Sequence, residues 1–259
     1  MDLISANWER RNLNLETGEL SFQSSDTIQD LSPGLFESYE YLVAKVPSGS
    51  VQLVHDLESK GFRFIEAQFE ISVDLCQPTL ISGAVESLMA KISYYPLTTE
   101  AQVQSLSNRI TPEMFAVDRV SIDPELGLEL GAQRYRNWIS DEFKSGKAFI
   151  YELRLGQTAI GFFVLRQLDE KVLFATLAGL YTEYKNKGLG LSIVFKPIQW
   201  AKENGYSRIK TRNSSNNSES FKIHLSCGYR LENVSYLLRW KRGERNKISE
   251  GALKCQTVI

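Results

Sequence analysis

The sequence predicts an α/β (α+β) fold in two parts, and three observations carry that expectation. Residues 148–181 hold three strand-like runs separated by turns of hairpin length. A glycine-containing loop follows, Lys185-Asn186-Lys187-Gly188-Leu189-Gly190, and then a stretch with apolar residues at helical spacing. Residues 39–75 show their own strand, helix and strand patterns, which sets a small N-terminal α/β domain over 1–84 before a larger domain over 85–259.

In the first part, Tyr39 to Val46 is rich in Tyr, Leu and Val and stops at Pro47, as a strand would. Ser48 or Ser50 caps a helix with Val51, Val54 and Leu57 on its apolar face, and Gly61 ends it. Phe62 to Leu75 alternates as one or two strands with one side buried. Breaks at Cys76-Gln77-Pro78 and Ser82-Gly83 place the boundary near 78–86.

The second part opens with a strand from Leu88 to Tyr95, and Thr98 or Thr99 caps a helix from Glu100 to Arg109. A polar stretch from Thr111 to Gly131 is longer than ordinary connections, and loops of that length are usually functional or mobile. Ala132 to Lys144 reads as a helix with Tyr135, Trp138, Ile139 and Phe143 inward. The three meander strands are Ala148–Leu155, Thr158–Leu168 and Lys171–Tyr181. After the glycine loop a helix runs from Gly190 to Asn204 with Leu191, Val194, Ile198 and Ala201 on one stripe, kinked or missing a hydrogen bond at Pro197. A short strand at 207–211, a short helix at 217–227 and a last strand or hairpin at 229–241 complete the domain, with a loosely held tail from Arg242. Lys60-Gly61-Phe62-Arg63 echoes Cys227-Gly228-Tyr229-Arg230, through either a partial duplication or the common use of Gly-aromatic at helix-to-strand junctions.

Composition narrows the function classes. The 30 basic and 31 acidic side chains give a net charge of -1, which offers nothing to draw nucleic acid or an anionic membrane surface. No apolar run is long enough to span a bilayer, and the first residues lack a signal-peptide pattern. The three cysteines, Cys76, Cys227 and Cys255, are widely spaced, as in a reducing cytoplasm without a disulfide frame. With two histidines and no Cys-x-x-Cys pair, no metal site is expected.

A strand feeding a glycine loop and then a helix can trap an anion. The first N–H groups of a helix have no internal acceptor, and the helix dipole puts partial positive charge there. Gly188 and Gly190 let backbone approach a phosphate, and Lys185 and Lys187 add charge. The same pattern also marks a plain tight strand-to-helix turn. It is neither a Gly-x-x-x-x-Gly-Lys-Ser/Thr loop nor a dinucleotide fingerprint, which would need glycine where Ile193 stands.

Leu180-Tyr181-Thr182-Glu183-Tyr184-Lys185-Asn186-Lys187-Gly188-Leu189-Gly190 resembles the Val-x-Pro-Glu-Tyr-Arg-Gly-x-Gly-Ile-Gly signature of the GNAT superfamily of N-acetyltransferases. Lys185 stands where that family has Arg or Gln, and Thr182 where it often has Pro. Asn217, a short helix and Cys227-Gly228-Tyr229 resemble the family's Asn…Tyr-x-x-x-Gly-Phe segment, so the likeness covers about residues 88–241. Asp118-Arg119-Val120-Ser121-Ile122-Asp123-Pro124, then Tyr135-Arg136-Asn137-Trp138-Ile139, resembles the TDP-fucosamine N-acetyltransferase group, with Val120 in place of Phe.

These resemblances imply a mixed, mostly antiparallel central sheet flanked by helices. They also imply acetyl-CoA as acyl donor, and the amine of a TDP- or UDP-linked amino sugar as acceptor. Backbone of Ala178, Gly179 and Leu180 would take the acyl and pantetheine end, residues 185–190 the pyrophosphate, and Asn217 the pantetheine or the helix cap. The family's general-acid Tyr falls on His224, while Asp118, Arg119 and Asp123 are candidates for the substrate. Glu183 and Tyr184 are structural by the same comparison, and a homodimer is implied by analogy with related enzymes. Cys227 is more readily a packed thiol than a nucleophile, and His55 a surface residue. Two functions remain open at this point: a cytoplasmic N-acyltransferase, or a module of the same fold that binds acyl-CoA or a metabolite without turnover.

Overall fold

The computed structural model describes residues 1–32, 34–77 and 83–244. Along the chain run β1 (Asp2–Ser5), α1 (Asn7–Leu13), β2 (Thr17–Ser21), α2 (Leu35–Ser38), β3 (Tyr41–Pro47), α3 (Val51–Ser59) and β4 (Arg63–Asp74). Then come α4 (Gly83–Ala90), β5 (Ile92–Pro96), α5 (Glu100–Asn108), α6 (Leu128–Ser145), β6 (Ala148–Leu155), β7 (Thr158–Gln167) and β8 (Val172–Leu180). Last are α7 (Ser192–Glu203), β9 (Arg208–Ser214), α8 (Ser218–Ser226) and β10 (Arg230–Lys241).

Two compact units result, one of Met1–Ile65 with the chain from Ser235 on, the other of Glu66–Val234. The division therefore differs from the expected one between 84 and 85, and strand pairing is the reason. Gln68–Asp74 of β4 pair antiparallel with β9 and so belong to the second unit. Ser235–Lys241 of β10 pair antiparallel with β3 and belong to the first. A break in the hydrophobic pattern does not mark a domain edge when the strand before it is shared in this way.

In the first unit β1 pairs antiparallel with β2, and β2 parallel with β3. Its core gathers Leu20, Leu42, Ala44, Val46, Leu57, Phe62 and Leu238, all fully buried. Leu53 and Leu57 face that core, whereas Val51, expected to do so, is 51% exposed because it is the first helical residue.

The second unit has the order β4-β9-β8-β7-β6-β5, antiparallel throughout except for β8 against β9. Its meander of β6, β7 and β8 and the helix α6 stand where the alternation put them. The expected strand from Leu88 is correct only from Ile92, since Gly83–Ala90 is helical. That short apolar segment fits either period, and the turn at Lys91 decides. One face of the sheet packs on α4, α7 and α8, through Met89, Val194, Ile198, Ala201 and Cys227. The other packs on α5 and α6, through Val103, Leu106, Ala132, Tyr135 and Ile139. Each Val or Ile fully buried in this way contributes about 1.5–3 kcal/mol. Pro197 sits inside α7 without ending it, so the carbonyl of Ile193 lacks its usual helical donor.

The short sequence echo has a structural counterpart. In both halves a parallel pair (β2 with β3, β8 with β9) is followed by a helix, a glycine and a strand. Gly61 and Gly228 hold φ of +93° and +90° at the same step. Beyond Glu244 the expected tail, with Cys255, lies outside the described residues.

Candidate active site

β8 and β9 start as parallel neighbours, in register only at Val172↔Arg208, Leu173↔Ile209 and Phe174↔Lys210. A last side-chain tie, Thr211 Oγ1 to Ala175 O at 2.8 Å, follows. Both strands then continue, to Leu180 and Ser214, without a further ladder pair. A register shift against β7 between Val164 and Leu165 turns β8 away at this point. The result is a gap between two strands whose edges carry free backbone groups.

The alternation of the antiparallel ladder says which groups face the gap. Tyr181 N–H donates to Ile160 O, on the β7 side. Leu180 and Ala178, one and three residues back, therefore aim their N–H groups the other way, toward β9. Gly179 lies between them, covered by Met114 and Phe115. Gly161 on β7 is held just as tightly: a Cβ there would meet Gly179 O at 2.4 Å. A Gly161→Ala substitution is expected to push β8 outward and weaken both folding and donor binding, to be read from a thermal melt and an acetyl-CoA titration.

At the end of β8 the chain makes a 3₁₀ turn over Thr182–Tyr184 and enters the glycine loop. Asn186 and Gly188 take φ of +60° and +74°, so the loop curls back on itself. The N–H groups of residues 186–191 donate to no backbone carbonyl among the described residues. They lie directly before α7, whose first turn adds its dipole. Six consecutive free amides before a helix make an anion cradle.

The lysines of the loop behave differently from expectation. Lys185 Nζ donates to the carbonyls of Glu113 (2.5 Å) and Met114 (3.1 Å), and burial holds its pKa below the ordinary lysine value. It ties the loop to the 3₁₀ turn over Pro112–Phe115 instead of presenting its charge to a phosphate. Lys187 lies over the ring of Tyr184, 5.3 Å from its centroid. Glu183 pairs with Arg109 at 2.6 Å, in keeping with a structural role.

On one side of the gap is α8. Asn217 caps it, its Oδ1 accepting from Ser220 N at 3.2 Å. His224 Nδ1 lies 2.8 Å from Ser220 O, and a carbonyl can only accept, so Nδ1 carries the proton and Nε2 the lone pair. Its ring meets Tyr229 edge-on at 4.8 Å. Burial pushes the imidazole pKa down to about 4. At pH 7 roughly one molecule in a thousand is then protonated. His224 is then a neutral, internally bonded residue, and of the two roles the register allows, protonating the thiolate or accepting the amine's proton, its Nε2 lone pair suits the second. In an NMR titration of the two imidazoles, the His224 ring should show its midpoint near 4. A midpoint above 6 would restore the acid role. His55 is exposed on α3, as expected.

On the other side lies a polar cluster that the sequence reading partly missed. Glu66 on β4 is 4% exposed and accepts from Ser214 Oγ at the end of β9. Because successive strand residues point to opposite faces, Ser214 and Glu66 lie across the sheet from Asn213, which meets His224 at 3.2 Å. Burial raises the Glu66 pKa, while Arg119 and Arg134 pull it down and Asp118 pushes it up. Asp118 is held by Tyr135 OH at 2.8 Å, by Val120 N at 3.0 Å and by Arg134, 3.6 Å away. Tyr135 in turn stacks on Phe115 at 3.9 Å, joining the cluster to the cover over Gly179.

Asp118, Arg119, Glu66, Arg134 and Tyr135 thus form one polar cluster, tied to the end of β9 through Ser214 and to Gly179 of β8 through Phe115. Asp123 is 1% exposed, and its Oδ1 accepts from Glu125 N at 2.9 Å, folding its own turn before α6. A carboxylate two residues before the N–H it accepts is a turn former, which gives Asp123 a structural use beside the expected substrate one. The signal for Glu66 was present, an ionisable residue in mid-strand among Ile65, Phe69, Ile71 and Val73. It went unread because a single charge in a strand is most often an exposed one. Cys227 is buried with its thiol pushed up to about 11, which suits packing. Among the described residues no His, Cys, Asp or Glu side chains gather as metal ligands, and no helix is long and apolar enough to cross a membrane.

Comparison with known proteins agrees with this geometry. The family model described as Acetyltransferase (GNAT) family matches residues 112–229. A GCN5-related N-acetyltransferase from Sphaerobacter thermophilus superposes with TM-score 0.55 at 11% identity, over 78% of this chain and 59% of that one. A tandem GNAT protein from the clavulanic acid biosynthesis pathway gives 0.51 at 12%, over 81% and 66%. The GCN5-related glucosamine N-acetyltransferase region of a fungal multi-domain GH3 β-N-acetylglucosaminidase gives 0.63 at 12%, over 92% of this chain and 31% of that chain. The chain thus spans less than two thirds of each of these three, and identities this low speak for the fold alone. None of the curated proteins matches the sequence. Splayed parallel strands, the amide loop before α7 and the family match coincide on one segment: residues 112–229 are similar to the acetyltransferase domain of the GNAT family.

Proposed function

We propose that this protein transfers an acyl group, acetyl by family default, from acyl-CoA to the amine of an amino sugar carried on a nucleoside diphosphate. The observation that carries the proposal is the gap between β8 and β9, which opens beside the cradle of free amides at 186–191. The amides would hold the donor's pyrophosphate, and Ala178 and Leu180 N–H groups its pantetheine and acyl end. The donor supplies an activated thioester; the chain's residues must handle the protons.

An ammonium has to lose its proton before nitrogen attacks the thioester carbonyl, and the departing thiolate has to gain one. Glu66 is the residue placed to take the first. It is buried against Ser214 at the end of β9, and burial lifts its pKa toward the range of an effective base. Arg119, half-buried in the same cluster, suits an anionic acceptor such as a diphosphate. The likeness of 118–139 to the amino-sugar group points the same way, as does the glucosamine named for the fungal neighbour.

The alternative is a module that binds acyl-CoA without turnover, and the neutral His224 favours it, because the thiolate then lacks its expected donor. A thiol-release assay with acetyl-CoA and a panel of TDP- and UDP-amino sugars separates the readings. Amine-dependent thiol release with an acylated sugar nucleotide as product is expected. Binding of acetyl-CoA with no release on any amine would leave only the module, and release with simple amines alone would remove the sugar nucleotide.

A further inference from the structure

The second unit has a cavity of about 520 Å³ that shares no residue with the site above. It lies against α4, β5 and α7, with Met89, Ile92 and Phe195 among its apolar lining. Met89 and Ile92 are each 2% exposed.

Lys196 also lines this cavity, and it is only 4% exposed. Its hydrogen bond goes to a neutral group, Gln199 Oε1 at 2.8 Å. The same amide donates to Glu203 Oε1 at 2.9 Å, and Tyr94 OH donates to the other oxygen of Glu203. The nearest carboxylate on α7 therefore reaches the lysine only through an amide, with its own acceptor positions largely taken. An ammonium has three donors and is costly to bury without a counter-charge. Burial accordingly holds the Lys196 pKa below the ordinary value.

We propose that this cavity is a second binding site, for a small organic monoanion with an apolar body. The carboxylate of such a ligand would accept from Lys196 Nζ, and its hydrocarbon would lie along Met89, Ile92 and Phe195. The site is independent of acyl transfer and stands whether or not the domain turns over.

The chain has three methionines, Met1, Met89 and Met114, and their methyl carbons report on separate places. Met89 lies in this cavity and Met114 against Gly179 at the acyl-transfer gap. Sodium octanoate titrated into protein carrying ¹³C-methyl methionine should move the Met89 signal to saturation while Met114 holds still. Lys196→Leu should weaken that binding by about tenfold to a hundredfold, the loss of one charge-assisted hydrogen bond. Lys196→Arg, which keeps the charge, should retain most of it, and both variants should still respond to acetyl-CoA at Met114. No saturable Met89 shift up to the solubility limit of octanoate would overturn the proposal. So would equal affinity in Lys196→Leu, equal affinity of octanol, or a shift confined to Met114.

Discussion

Replacing Glu66 by glutamine is expected to lower turnover by about a hundredfold to ten-thousandfold while leaving acetyl-CoA affinity unchanged. The carboxylate is buried on β4 against Ser214 at the end of β9, and glutamine keeps its shape and its bond with Ser214 without accepting a proton. Two pH effects separate this from damage to the fold. Only ionised Glu66 can act as base, so the wild-type rate should rise as pH climbs through its raised pKa, and that limb should vanish in the variant. Stability has the opposite sign. Because the folded-state pKa is raised above the ordinary 4.5, the contribution of Glu66 to stability is complete below 4.5 and falls as pH rises through the folded value. Glu66→Gln should therefore melt no lower than wild type at pH 8. A variant with normal turnover, or one that fails only because it unfolds, would remove Glu66 from the mechanism.

Gly188→Val should act on the donor instead. At φ +74° a side chain is strained by about 1–2 kcal/mol, more when β-branched, although a Cβ there meets nothing within 4 Å. The loop would relax toward negative φ and swing its amides off their common focus. Acetyl-CoA binding should weaken by about tenfold. Turnover at saturating donor should change little, and the melting temperature should hold, since nothing packs against the position. An unchanged dissociation constant would mean that the 186–191 amides do not hold the donor.

The sequence made the second unit readable where each element had one job. The meander at 148–181 reads as apolar runs, most continuous in β7, because helices cover both faces of the sheet, with hairpin turns between. The glycine loop was legible because free amides before a helix need residues that tolerate positive φ. What escaped has physical reasons. The unit boundaries at 65/66 and 234/235 depend on long-range pairing of β4 with β9 and β10 with β3, which no local pattern encodes. His224 was placed by register alone, and its burial and its bond to Ser220 decide its charge. Lys185 looked like a phosphate ligand until the fold brought two carbonyls to its ammonium. Glu66 lies 110 residues or more before the loop it serves, so only the folded sheet brings it to the end of β9.

The most direct measurement is an amide NMR titration of uniformly ¹⁵N-labelled protein with acetyl-CoA. Saturable shifts of Ala178, Leu180 and residues 186–191, with Gly188 and Gly190 among the largest, are predicted, because those N–H groups would gain charged or carbonyl acceptors. Binding of acetyl-CoA that leaves these amides unmoved would contradict the account.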